Sequence, residues 1–156
     1  MKLLIASDHG GFELKEKVKA LLANLGVEYE DIGPSTADPV DYPDFACAVA
    51  SRISSGPDGL RAILICGTGI GMSIAANRFA GVRAALVRDV FSAEMSRRHN
   101  DANVLVLGGR VTPPDLAEAI VKTWLETPFD GGRHERRLEK IARIGGASCD
   151  DEGDAA

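Results

Sequence analysis

The stretch "ILICGTGIGMSIAANRF", residues 63–79, runs from an unbroken apolar segment through three glycines into helical spacing, with one cysteine at the seam. A short apolar run bounded by a glycine turn reads as a strand buried on both faces, and a strand feeding a helix through such a turn is a βα unit. The same pattern repeats outward in both directions. Apolar runs stand at "KLLIAS" (2–7), "VEYEDI" (27–32), "RAILIC" (61–66), "VRAALV" (82–87) and "NVLVLG" (103–108). Helical patterns over 12–25, 42–54, 70–79 and 90–99 separate them, stopped at Gly26, "SSGPDG", Gly81 and "HND". After the fifth run, "TPPDLAEAIVKTWLE" (112–126) predicts a helix capped by Thr112 with prolines in its first turn, and a last helix is predicted over 134–144. Alternating strands and helices predict an α/β fold around a five-stranded parallel sheet.

A chain of 156 residues is one domain on length alone, able to bury about two-thirds of its unfolded surface in a single core. Its net charge of −5 argues against a nucleic-acid partner, which would call for a basic patch. Cysteines 47, 66 and 149 are odd in number and far apart, with no C-x-x-C pair, so neither a disulfide framework nor a metal knuckle is indicated and a reducing cytoplasm is expected. "MKLLIASDHGG" is too briefly apolar for a signal peptide or a membrane span. The domain is drawn over 1–146, and residues 147–156, acidic and aperiodic, are expected to form a disordered tail in which Cys149 is incidental. The loop "GPSTADPVDYPD" (33–44) is long for its place and reads as either mobile or functional.

In open parallel sheets ligands gather at the carboxyl ends of the strands, and here "SDHGG", "CGTGIG" and "GGRV" end the first, third and fifth runs. A nicotinamide fingerprint fits poorly: Met72 stands where its third glycine belongs, although Asp89 follows the next strand at a workable distance. No Lys-Ser or Lys-Thr pair follows for a Walker loop, and Met72 also occupies the position of a phosphatase loop's arginine. Cys66 could simply close a buried strand. Its seat before a helix N-terminus, among backbone N–H groups, would equally stabilise a thiolate able to act as base or nucleophile. Of the histidines, His9 and His99 lie at element ends, and His134 opens "RHERRLEK", which also reads as an ordinary solvated helix start. Arg133 and Arg137, one turn apart, and Arg110 after "LGG" suggest a phosphate ligand, with surface ion pairing to Glu135 and Glu139 as the competing reading.

"SDHGG", "DYPD", "ICGTGIGMSIAANRFAGVRAA", "RRHNDANVLVLGGRV" and "GGRHERRLEKI", in order over residues 2–144, together resemble the ribose-5-phosphate isomerase type B family, which includes galactose-6-phosphate and allose-6-phosphate isomerases. The resemblance implies a Rossmann-like three-layer α/β/α sandwich and a homodimer or dimer of dimers with its sites at the subunit interface. It implies aldose–ketose isomerisation of a phosphorylated sugar in carbohydrate metabolism, without metal or other cofactor. By position, Cys66 would be the base that takes the C2 proton of the open-chain sugar. The backbone of Gly67, Gly69, Ile70 and Gly71 would hold the enediolate, and Thr68 would move a proton between O1 and O2. His99 would open the ring, with Tyr42 and Asn100 alongside. Asp8 would hold a sugar hydroxyl, and His9, Arg110, Arg133 and Arg137 the phosphate. One branch of the family carries a glutamate at the position of Met72 and no cysteine at that of Cys66; this chain resembles the cysteine branch. Ribose 5-phosphate is the expected substrate. A four- or six-carbon sugar phosphate, or a non-catalytic sugar-phosphate or nucleotide module on the same fold, are the alternatives.

Overall fold

The computed structural model describes residues 2–144; the tail expected over 147–156 lies outside the described residues. Five strands, β1 (Leu3–Ser7), β2 (Tyr29–Gly33), β3 (Arg61–Cys66), β4 (Ala84–Leu86) and β5 (Val104–Gly108), form one parallel sheet in the order β2-β1-β3-β5-β4. The central strands are apolar without alternation because both faces are covered, as parallel sheets require. Leu3, Ile5, Ile63, Ile65, Leu105 and Leu107 face one core. Their alternate neighbours Leu4, Ala6, Ala62, Leu64, Cys66, Val104 and Val106 face the other.

Helices α1 (Phe12–Asn24), α4 (Val90–Arg98) and α5 (Pro114–Glu126) bury Leu14, Val18, Leu22, Ala93, Ile120 and Trp124 against the first face. On the second face α2 (Tyr42–Ser55) and α3 (Ile70–Ala76) bury Val49, Ile53, Met72 and Ala76. The three-layer α/β/α architecture expected from the sequence is therefore present. One further helix, α6 (Arg133–Arg143), buries only His134 and leaves Ile141 about half exposed. Among the described residues no helix is long and apolar enough to cross a membrane.

Strand order decides where a ligand can enter. From β1 the chain crosses to β2 by α1, on one face, and from β3 it crosses to β4 by α3, on the other. Adjacent strands whose connections leave to opposite faces open a crevice at their carboxyl ends, the switch point of an open α/β sheet. "SDHGG" and "CGTGIG" line that crevice.

Two local expectations are corrected. Thr112 does not cap α5: Pro113, held extended at ψ 146° by the proline that follows it, is the N-cap, and its carbonyl accepts the first helical bond, from Ala117. The Thr112 hydroxyl is left buried without a hydrogen-bond partner among the described residues. Helix α3 ends at Ala76 rather than Phe79, because bonding tightens to i→i−3 at Arg78 and Phe79 while the Asn77 amide pairs with both backbone groups of Ala84.

Candidate active site

Cys66 is the last residue of β3 and 4% exposed. The turn after it is shaped by Gly69, at φ +80°, a left-handed conformation in which a Cβ would also collide with Leu86. That turn folds the Gly69 N–H back onto the Cys66 Sγ at 3.2 Å. Thr68 is exposed at the lip, its Oγ1 3.4 Å from the Ile70 nitrogen. The exit turn of β5 locks against this one: Gly109 N–H donates to the Cys66 carbonyl at 2.7 Å and Arg110 N–H to that of Gly67 at 3.0 Å. The Arg110 guanidinium lies over Gly67, where an added Cβ would stand 3.3 Å from Nη1.

The exit of β1 completes the near side. Asp8 is 7% exposed and caps the short 3-10 turn His9–Gly11, its Oδ1 accepting from Gly11 N–H at 3.0 Å. His9 is exposed, with Nδ1 3.2 Å from both the nitrogen and the oxygen of Val40. Tyr42, which opens α2, lies across Gly71 so closely that no side chain fits there. The 33–44 loop thus borders the crevice through Val40 and Tyr42, which favours the functional reading of that loop.

Asp8, His9, Tyr42, Cys66, Gly67, Thr68, Gly69, Ile70, Gly71 and Arg110 are therefore brought together. His99, Asn100, Arg133 and Arg137 are not with them. His99 caps the C-terminus of α4 and the chain then enters β5 at Val104, which pairs with Ala62, whereas Cys66 pairs with Gly108 at the other end of the same strands. Four residues of strand put the two edges about 13 Å apart. Arg133 and Arg137 follow His99, because α6 begins beside it: the His134 ring stacks on that of His99 at 4.3 Å and 13°.

His134 is the residue the sequence left in doubt and the structure promotes. It is 6% exposed. Burial first, then the charges of His99, Arg133 and Arg137, hold its imidazole below the ordinary histidine value, against the opposing pull of Asp130. Asp130, which no sequence pattern marks, receives the Arg98 guanidinium at 3.1 Å, and its N–H donates to the Arg98 carbonyl. Ligand atoms of His99, Asp130 and His134 lie within 4.8 Å of one another. Nitrogen lone pairs lie in the ring plane, so two rings stacked nearly parallel do not aim at one ion as they stand, and the carboxylate is engaged by Arg98. The arrangement suits a paired imidazole edge better than a metal centre.

The pattern of the Ribose/Galactose Isomerase family matches residues 3–141. Ribose-5-phosphate isomerase B of Escherichia coli is 47% identical over 144 residues, 92% of this chain and 95% of that protein. The solved ribose-5-phosphate isomerase B of Clostridium thermocellum superposes with a TM-score of 0.88 at 51% identity, covering 92% of this chain and 97% of its own. That of Mycoplasma genitalium, with bound ribulose-5-phosphate, gives a TM-score of 0.88 at 43% identity, covering 91% and 94%.

Proposed function

Because the chain belongs to the ribose/galactose isomerase family, we propose that it is an aldose–ketose isomerase interconverting ribose 5-phosphate and ribulose 5-phosphate, with Cys66 as its base. The observation that carries the chemistry is the Gly69 N–H donated to the Cys66 sulfur at the mouth of the switch-point crevice. That bond at 3.2 Å holds the sulfur at the glycine turn, where it is placed to take a proton alpha to a carbonyl. The name of the Escherichia coli relative and the ribulose-5-phosphate in the Mycoplasma genitalium protein support the five-carbon sugar.

The reaction runs in four steps. His99 assists opening of the furanose, freeing the C1 carbonyl. Cys66 takes the proton from C2, and the electron pair of that bond becomes the C1–C2 double bond as charge moves to O1. Backbone N–H groups of the Gly67–Gly71 turn hold this enediolate, and Thr68 passes the O2 proton to O1. The Cys66 thiol then returns its proton to C1, leaving the ketone at C2. Asp8, with Oδ1 fixed by Gly11, orients a sugar hydroxyl, and Tyr42 closes over Gly71. No step calls for a metal or other cofactor.

The working site is shared between two subunits of a homodimer, alone or within a dimer of dimers. The separation of Cys66 from His99 across the sheet supports this, as do exposed apolar residues beside each half: Ile70 and Ile74 on α3, Ile141 on α6 and Ile144 just after it. Arg110 of one chain and Arg133 and Arg137 of its partner then converge with His9 on the phosphate. A cytoplasmic location accords with this reaction.

A coupled assay across four-, five- and six-carbon phosphorylated aldoses is expected to give the highest kcat/KM with ribose 5-phosphate. A preference for a tetrose or hexose phosphate would move the substrate within the family, and no turnover of any would leave a binding module. Arg137→Ala should weaken ribose 5-phosphate by about 1.5–3 kcal/mol, the worth of a charge-assisted hydrogen bond, read as a rise in KM. Turnover of unphosphorylated ribose should not change, and an equal loss with both sugars would assign Arg137 to structure instead.

A further inference from the structure

At the amino-terminal edge of the sheet, opposite the crevice, a cavity of about 470 Å³ opens between the α2–β3 connection and the segments that precede β4 and β5. Its volume is in the range of small-molecule sites. Three arginines line it: Arg61, Arg83 and Arg97. Two are anchored. Arg83 donates to the Asn100 and Asp101 carbonyls and pairs with the Asp101 carboxylate at 3.0 Å. Arg97, 3% exposed, donates to the Ala102 carbonyl at 2.7 Å and pairs with the same carboxylate at 2.9 Å.

Arg61 differs from both. It opens β3 on the face that packs against α5, and its guanidinium rests on the Trp124 ring at 5.5 Å, where Arg97 also lies, at 5.9 Å. Among the described residues no carboxylate comes within ion-pair distance of it and no carbonyl accepts from it, whereas Arg83 and Arg97 have both. Burial, then the Arg97 cation, lower its affinity for its own proton, and Asp101 offsets this only in part. The other acid of the lining, Asp58, is exposed and pairs with no cation among the described residues. A half-buried fork of donors without an acceptor is costly unless an anion completes it, and a guanidinium matches two phosphate oxygens at once.

We propose that this cavity is a second anion site that binds a small phosphorylated molecule, its phosphate on Arg61 between the anchored Arg83 and Arg97. Within one chain the cavity lies the length of the strands from Cys66, and Arg83 of its lining reaches the Asn100 carbonyl at the edge that holds His99; it does not depend on the reaction assigned to Cys66. Asp101, which ties Arg83 and Arg97 together, is two residues from His99, so occupancy has a short covalent path to the far half of the catalytic site.

Inorganic pyrophosphate is the probe, titrated calorimetrically at fixed ionic strength into full-length Arg137→Ala protein, so that the catalytic phosphate clamp is weakened beforehand. One binding event per chain is expected, with a rise in Tm. Adding Arg61→Gln should weaken it about tenfold or more, by loss of a charge-assisted pair. Adding Ser54→Glu, a carboxylate at an exposed position of the lining, should do the same without touching the Trp124 stack. Absence of binding in the parent, or undiminished affinity in a folded Arg61→Gln or Ser54→Glu protein, overturns the site.

Discussion

Cys66→Ala is expected to lower kcat for ribose 5-phosphate by about 10²–10⁴-fold, the span of a general base, while KM and the fold are retained. That is about 2.7–5.4 kcal/mol of transition-state stabilisation. The structural cost is small, because the sulfur is one atom of the second core, the cluster that also holds Met72 and Ala76, worth about 1 kcal/mol of packing. The two effects separate cleanly: a packing role would lower Tm and leave turnover intact, and a base does the reverse. Alkylation adds an independent reading. Cys47 is exposed and Cys66 buried, so iodoacetamide should be applied to a Cys47→Ser, Cys149→Ser protein, where inactivation should be slowed by substrate. Wild-type turnover in Cys66→Ala would remove sulfur from the mechanism.

The central strands were legible because a parallel sheet buried on both faces writes itself as continuous apolar runs, and "RAILIC" and "NVLVLG" carry no competing period. The near half of the site was legible for a related reason: strand ends collect at one edge, so residues following β1, β3 and β5 must meet whatever their distance in sequence. The Gly69 bond to sulfur was not, since it depends on a left-handed residue whose partner is set by the turn as a whole. Thr112 misled because a threonine before two prolines looks like a cap, yet each proline holds the residue before it extended and shifts the cap onward. His134 was undervalued because "RHERRLEK" satisfies the rules for a solvated helix. Only the stack on His99 distinguishes it, and that contact joins α6 to the end of α4, which no local pattern encodes.

The same long-range placement gives the sharpest expectation for the assembled enzyme. Cys66→Ala and His99→Ala homodimers should each be inactive, and mixing them under conditions of verified subunit exchange should restore activity. In a mixed dimer one site pairs the two mutated groups and is dead. The other draws an intact Cys66 from one chain and an intact His99 from its partner. Random assortment makes about half the dimers mixed, each with one working site of two, so recovery should approach about a quarter of the wild-type rate. The value follows from sites shared across a two-fold axis and holds in a dimer of dimers as long as exchange occurs within the dimer. Were both groups supplied by one chain, every site in every mixture would lack one of them, and no recovery would occur at any ratio. Such an intrachain site would also need His99 to reach Cys66 across about 13 Å of β-sheet, from Val104 to Gly108 along β5, past side chains buried on both faces. A flat baseline after exchange would therefore refute both the shared site and the role assigned to the opposite edge of the sheet.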